Sequence, residues 1–283
     1  MRIALATSLA ELPPSDRALA HALTEHGAEP RSALWHSRHI DWSRFNAVAV
    51  RSCWDYHLQP DAFLDWISQL ETLGISIVNP PALIRWNFRK TYLDELARRG
   101  VRIPTTVWLE PGQSADVAEL FRARGWRAAV IKPLISARAY RTERRREGTV
   151  DGPAMIQEYL DAIEIEGEWS LIYMDGRFSH AVRKRPSRGD FRVQMEFGGS
   201  ALPAAPDAAL LAFAEGALRA LPEPGVLVRV DVVQQRRGCF LMELEAIEPE
   251  LFLSAAPGSA HVAAGALLAA LESVLWAAGG RTG

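Results

Sequence analysis

The hydrophobic rhythm of the chain changes along its length, so no single repeating architecture can hold all of it. In the first 80 residues, short apolar runs alternate with amphipathic segments. Residues 3–6 read as a strand, 16–26 as a helix ended by Gly27, and 47–50 as a second strand. A helix over 60–73, stopped by Gly74, and a strand over 75–78 follow. This alternation predicts a small open α/β unit. No glycine-rich phosphate loop follows the first strand, so the unit lacks a dinucleotide fingerprint.

Asn79-Pro80-Pro81 breaks the pattern and marks a boundary. A helix over 88–99, closed by Gly100, leads into a strand at 105–109, a helix at 114–124 and a strand at 128–132. Residues 133–152 are highly charged and aperiodic, which predicts a mobile loop; 155–160 are apolar again. After Asp161 the pattern becomes antiparallel, with strands at 169–174, 178–185, 226–233 and 240–245 and turns at Asp175-Gly176 and Arg237-Gly238. Helices are expected at 207–221 and 259–276. The expected units are therefore 1–81, 82–160 and 161–283.

Composition excludes several classes. The 283 residues carry a formal net charge of −2, so no global field attracts nucleic acid or an anionic membrane. Arg144, Arg145 and Arg146 read as a solvated loop. Cys53 and Cys239 offer neither a disulfide framework nor metal spacing, in keeping with a reducing, cytoplasmic compartment. The apolar run at the N-terminus is too short for a signal peptide, and the apolar tail at 261–278 is short for a membrane span and contains Glu272.

Only Lys90, Lys132 and Lys184 among the 32 cationic side chains are lysine. Arg is a broad fork, whereas Lys is a compact charge on a thin stem, suited to a phosphate in a narrow slot. Lys90 follows the boundary, Lys132 ends a strand beside the expected loop, and Lys184 lies in a basic strand, Arg183-Lys184-Arg185.

A second cluster is acidic. Period-two alternation puts Arg229 and Asp231 on one face of a strand, and Glu243 and Glu245 on one face of the next. With a turn near residues 236–237, Asp231 falls opposite Glu243. Like charges facing across strands are destabilising. The face therefore either binds a divalent cation through oxygen ligands, Mg²⁺ or Mn²⁺, or is a solvated face carrying an Arg salt bridge.

The ordered set Asn87-x-x-Lys90, Ile131-Lys132-Pro133, Gln157-Glu158-Tyr159-Leu160, Arg229-x-Asp231 and Glu243-x-Glu245 resembles the ATP-grasp superfamily. Asp175-Gly176, and Arg192 followed by Gly198-Gly199, fit its glutathione-synthetase-like branch. The strings at 51–56, 79–87, 167–171, 178–186, 189–193 and 242–251 are similar to the ligases that form D-cycloserine by closing a ring on O-ureido-D-serine.

The resemblance implies an ATP-grasp fold, two α+β subdomains gripping ATP, behind an N-terminal open α/β domain. It places Lys90 and Lys132 on the phosphates, Gln157, Glu158, Tyr159 and Leu160 at the adenine hinge, and Glu168 on the ribose, with Glu164 as a substitute. Asp231, Glu243 and Glu245 match the metal ligands, Glu245 standing where the superfamily usually has Asn. Arg229 matches a phosphate contact, and Arg183 and Arg192 match groups facing the transferred phosphate and the acceptor. Lys184 would face the phosphates or substrate with its strand. Arg51 and Asp55 end a strand at the carboxyl edge of the first sheet, where open α/β sheets bind ligands. They would clamp the carboxylate and ammonium of an amino-acid-like substrate, or pair with each other to hold a loop. Only 24 residues separate Lys132 from Gln157, a shorter lid than the resemblance leads one to expect.

The implied activity is an ATP-dependent carboxylate–amine ligase of antibiotic biosynthesis, a monomer or homodimer working through an acyl-phosphate. A cyclo-ligase on a small amino-acid derivative is the sharpest form. An intermolecular amide ligase, or a nucleotide-binding protein without turnover, are the alternatives.

Overall fold

The computed structural model describes residues 1–236 and 238–279. The first sheet is built from β1 (Arg2–Thr7), β2 (Glu29–Leu34), β3 (Ala47–Ser52) and β4 (Ser76–Val78), in the order β2-β1-β3-β4 and parallel throughout. Helices α1 (Pro14–Glu25) and α2 (Pro60–Thr72) connect it. Both β1 and β3 are almost wholly buried, as a parallel sheet covered on two faces requires. In α2 the buried residues Phe63, Trp66, Ile67 and Leu70 recur at helical spacing, and the proline at its first turn gives up no hydrogen bond. The sequence pattern missed β2. It is an exposed edge strand containing Pro30, so it shows no apolar alternation.

The helix expected at 88–99 is instead two, α3 (Pro81–Asn87) and α4 (Tyr92–Arg98). The break between them leaves Lys90 outside both, with its backbone N–H donating to the Leu134 carbonyl at 2.8 Å. The second sheet holds β5 (Thr106–Leu109), β7 (Ala129–Pro133), β8 (Glu143–Arg145) and β10 (Ala154–Glu158), in the order β5-β10-β7-β8. Beside it, β6 (Ser114–Asp116) pairs with β9 (Thr149–Asp151) and leads into α5 (Val117–Arg124). Asp116 caps α5 by accepting from the Glu119 N–H at 2.9 Å.

The stretch expected to be a mobile loop thus contains two strands. β8 pairs antiparallel with β7, placing Glu143 opposite Ile131, and β9 is held by β6. Both are three residues long and mostly exposed, so period-two alternation had no room to show.

The third sheet is antiparallel, in the order β13-β12-β11-β14-β15. After α6 (Ala162–Ile165) come β11 (Glu168–Met174), β12 (Arg177–Arg185) and β13 (Ser200–Pro203). Helix α7 (Ala208–Arg219), β14 (Leu227–Gln235), β15 (Gly238–Glu245) and α8 (Ser259–Gly279) complete the chain. The β11–β12 turn has φ of 51° at Asp175 and 70° at Gly176, the pair of positive values that a two-residue hairpin turn needs. In the β14–β15 hairpin, Arg237 lies outside the described residues.

Packing crosses the three sheets. Leu83, Tyr92, Leu93 and Leu96 of α3 and α4 share a core with Leu171, Val228, Val230 and Leu244 of the third sheet. Leu19 and Leu23 of α1 pack with Ala263, Ala264 and Leu267 of α8 and with Ile172 and Met174 of β11. Two buried asparagines tie residues 79–87 to the third sheet. Asn79 Nδ2 donates to the Leu227 and Ala246 carbonyls at 2.7 and 2.9 Å, and its Oδ1 accepts from Val226 and Leu227 N–H groups at 2.6 and 3.0 Å. Asn87 donates to the Leu244 carbonyl at 2.8 Å and accepts from the Ala246 N–H at 2.8 Å. The segment at 79–87 therefore grips the acidic hairpin directly. Among the described residues, no helix is long and apolar enough to cross a membrane.

Candidate active site

A cavity of about 440 Å³ opens where the three sheets face one another. Its floor is the β14–β15 hairpin. The register sets Asp231 opposite Glu243 and Arg229 opposite Glu245, as the alternation required. Ligand oxygens of Asp231, Glu243 and Glu245 lie within 4.8 Å of one another. Three carboxylates at that separation suit a hard, oxygen-seeking divalent cation such as Mg²⁺. The face is not solvated throughout: Asp231 is 2% exposed, whereas the Glu243 and Glu245 side chains are 30% and 25% exposed. The Arg salt bridge is nevertheless present within the cluster. The Arg229 guanidinium donates to Asp231 at 3.0 Å and also to Glu245.

Cations ring these acids. Lys90 Nζ donates to Glu243. Lys184, reaching across from β12, pairs with Glu168 at 2.5 Å and Asp231 at 3.1 Å. Ser170 adds a hydrogen bond to Asp231 at 2.5 Å. Lys132, at the end of β7, lines the same cavity and makes a long contact of 3.4 Å to Gln157.

Charge state follows from burial and neighbours. Burial opposes ionisation of Asp231, but Arg229 and Lys184 overcome it and hold the carboxyl down at about 2. Burial likewise opposes Glu243, and Lys90 and Lys132 pull it below its usual range. For Glu245 burial wins over Arg229, and Glu243 and Asp231 add repulsion, so it is raised to about 7. Burial also raises Glu168 against the pull of Lys184, and lowers the Lys132 ammonium against the attraction of Glu243. Lys132 is therefore a cation short of partners, positioned to gain one.

The segment expected at the adenine hinge reaches the same cavity. Gln157, Glu158 and Leu160 line it, beside Val130, Ile163 and Met242, which offer apolar walls. The Glu158 and Tyr159 N–H groups are already committed to the Thr105 and Ala128 carbonyls, at 2.8 and 3.1 Å. Tyr159 turns its ring away from the cavity, against Phe191 and under the Arg144 guanidinium, with its hydroxyl on Glu164. Glu164 is exposed and engaged there, whereas Glu168 lines the cavity.

Besides Tyr159, three expected residues do not line this cavity. Arg183 lies on the face of β12 opposite to Lys184; it stacks over Trp169 at 5.1 Å and pairs with Glu166 at 2.5 Å. Alternation along one strand forbids both from facing the same ligand. Arg51 is 2% exposed, paired with Asp16 of α1 at 3.0 Å and donating to the Pro249 carbonyl at 2.8 Å. Asp55 accepts from the Trp35 indole at 2.7 Å. Arg51 and Asp55 therefore form neither a substrate clamp nor a mutual ion pair. Arg192 does line the cavity, held by Asp190 at 2.8 Å and lying 3.6 Å over the Phe197 ring.

Other lining residues escaped the sequence reading. Glu248 and Glu250, in the irregular segment after β15, face the cavity, as do Ser15 at the start of α1 and Trp54. Ser15 donates to Glu250. Arg138 bridges the cavity mouth, stacking over Trp54 at 4.9 Å and pairing with Glu196 at 2.5 Å. Nothing periodic announces any of these, because Glu248, Glu250, Trp54 and Arg138 sit in irregular chain.

Residues 3–79 match the family described as the N-terminal domain of the D-cycloserine synthetase DcsG. Over 248 residues the chain is 30% identical to the cycloserine biosynthesis protein DcsG of Streptomyces lavendulae, covering 78% of this chain and 81% of that protein. The crystal structure of D-cycloserine synthetase DcsG superposes with a TM-score of 0.84 at 27% identity, covering 96% of this chain and all 100% of the other. A D-alanine–D-alanine ligase from Bacillus anthracis, solved with ATP, shares the fold at a TM-score of 0.67 and 13% identity, covering 97% and 98% of the two chains.

Proposed function

The chain belongs to the DcsG family of ATP-grasp ligases, and from that premise we propose that it activates the carboxylate of a small amino-acid derivative and closes a ring on it. The observation that carries this reading is the meeting of Lys90, Lys132, Lys184 and Arg229 with Asp231, Glu243 and Glu245 in one cavity. Cations at that density suit a polyphosphate, and three close carboxylates suit the cation that accompanies it.

Lys132 and Lys90 would hold the phosphates, and Gln157, Glu158 and Leu160 the base, with Glu168 on the ribose. The Leu160 N–H, which no group among the described residues engages, is the hinge donor free for a ring nitrogen. The substrate carboxylate oxygen attacks the terminal phosphorus of ATP, and the bond to the bridging oxygen breaks, giving an acyl-phosphate and ADP. A divalent cation bound by Asp231, Glu243 and Glu245 would neutralise charge on the phosphates. Arg229 and Arg192 would stabilise charge on the transferred group. A nitrogen of the same substrate then attacks the acyl carbon; phosphate leaves, and the nitrogen loses a proton. No strong protein base is needed, because positioning and charge carry the step.

O-ureido-D-serine, the ring precursor that the sequence resemblance implies, is the first substrate to try. The test is ADP release from Mg-ATP with this compound and a panel of D- and L-amino acids, followed by product mass. Ring closure consumes one organic substrate. A product containing two would establish intermolecular ligation instead, and no ADP release with any compound would leave a nucleotide-binding protein without turnover.

A further inference from the structure

Glu248 lines the cavity, and the reaction above does not use it. It is 7% exposed, yet among the described residues no hydrogen bond or ion pair reaches it. Every carboxylate near it is engaged: Glu243 by Lys90, Glu245 by Arg229, Glu250 by Ser15. Burying a charge without a partner is costly, so an unpartnered buried carboxylate facing a cavity implies a cationic ligand.

Its position narrows what that ligand is. Glu248 lines both the large cavity and a smaller recess of about 20 Å³ bounded by Tyr56, Asn87 and Tyr92. Lys90, Glu243 and Glu245 line that recess with it, and none of residues 157–160 does. Glu248 therefore stands past the phosphate-binding cluster, on a recess that the residues expected to hold the base do not reach. Nor does it belong to the metal group, which comprises Asp231, Glu243 and Glu245. One carboxylate standing outside that group suits a singly charged hydrogen-bond donor better than a second divalent ion, which takes six or more oxygens. Burial and the adjacent Glu245 push its carboxyl well above the usual range, and Arg51 and Arg229 offset this only in part.

We propose that Glu248 is the subsite for the substrate's ammonium group, so that the protein selects amino acids whose amine is free. The inference rests on the ligase reading for the identity of the substrate end. Glu248 is a binding residue here, distinct from the groups on phosphate.

The test is calorimetric binding of O-ureido-D-serine, and of the same compound N-acetylated, to the full chain holding Mg-ADP. The wild type should bind the free amine at least tenfold more tightly than the acetylated form. Glu248→Gln should remove most of that preference, roughly a tenfold to hundredfold loss for the free amine, as expected for one charge-assisted hydrogen bond. Glu248→Asp should restore part of it. Neither variant should change the Mg²⁺ dependence of ADP binding. Equal affinities of the wild type for both compounds, or an unaltered preference in Glu248→Gln, would overturn the proposal. A shifted Mg²⁺ dependence would also overturn it, making Glu248 a metal ligand. Binding that depends on Glu248 without any ADP release from ATP would refute the ligase reading and leave the ammonium subsite standing.

Discussion

Replacing Lys184 by Met probes the cluster most sharply, because the structure dictates both the cost and its pH dependence. The side chain is 8% exposed and pairs with Glu168 at 2.5 Å and Asp231 at 3.1 Å. Asp231 keeps a second cation, Arg229, at 3.0 Å. Glu168 has no other ion pair among the described residues and is left as a buried, uncompensated charge. Removing one partner of a buried pair costs about 3–5 kcal/mol. For a chain of this size, about 2 °C per kcal/mol gives a fall in Tm of roughly 6–10 °C. The loss is capped because Glu168, already raised by burial, can take up a proton. It should therefore be smaller near pH 5.5 than at pH 8. Scanning calorimetry without nucleotide or Mg²⁺ measures this. Lys184→Met with Glu168→Gln removes the orphaned charge and should recover at least half of the lost Tm at pH 8. A single variant as stable as wild type, or a double variant worse than the single, would refute the reasoning.

Further outcomes follow from the same geometry. Lys132→Ala should weaken ATP binding by roughly tenfold to a hundredfold, the worth of one charge-assisted contact; equilibrium nucleotide titration checks it. Asn79→Ala leaves four backbone groups of the hairpin region without a partner and should cost at least about 2 kcal/mol, seen as a lower denaturant midpoint. Glu245, raised to about 7, binds a proton more tightly in the folded chain. Its contribution is present below the unfolded value of 4.5 and is lost as pH rises through about 7. Without Mg²⁺, the Tm of Glu245→Gln should accordingly vary less with pH between about 5 and 7.5 than that of wild type. Glu243→Gln should abolish Mg²⁺-dependent turnover while circular dichroism stays that of wild type.

What the sequence revealed and what it hid have physical causes. The acidic hairpin was legible because period-two alternation in β14 and β15 fixes which side chains share a face, and the facing pair Asp231 and Glu243 appears in that register. The lysines were legible because each stands alone in a chain that otherwise uses arginine. Arg51 was misplaced because its partner, Asp16, is 35 positions away. Strand-end position alone cannot tell a buried ion pair from a ligand clamp. Arg183 and Lys184 look like one basic surface in the sequence, but neighbours on a strand face opposite ways. Strands β8 and β9 are too short and too polar to carry a pattern. Glu248 and Glu250 lie in irregular chain after β15, where no periodicity reports which side faces inward.

The central claim is that a substrate carboxylate attacks the terminal phosphate of ATP. O-ureido-D-serine labelled with ¹⁸O in its carboxylate, turned over with Mg-ATP, tests it directly by mass analysis of the released phosphate. The account predicts one ¹⁸O transferred into each phosphate, with ADP as the nucleotide product. Phosphate free of label would mean water attacks ATP, and release of AMP with pyrophosphate would mean activation by adenylation; either result contradicts it.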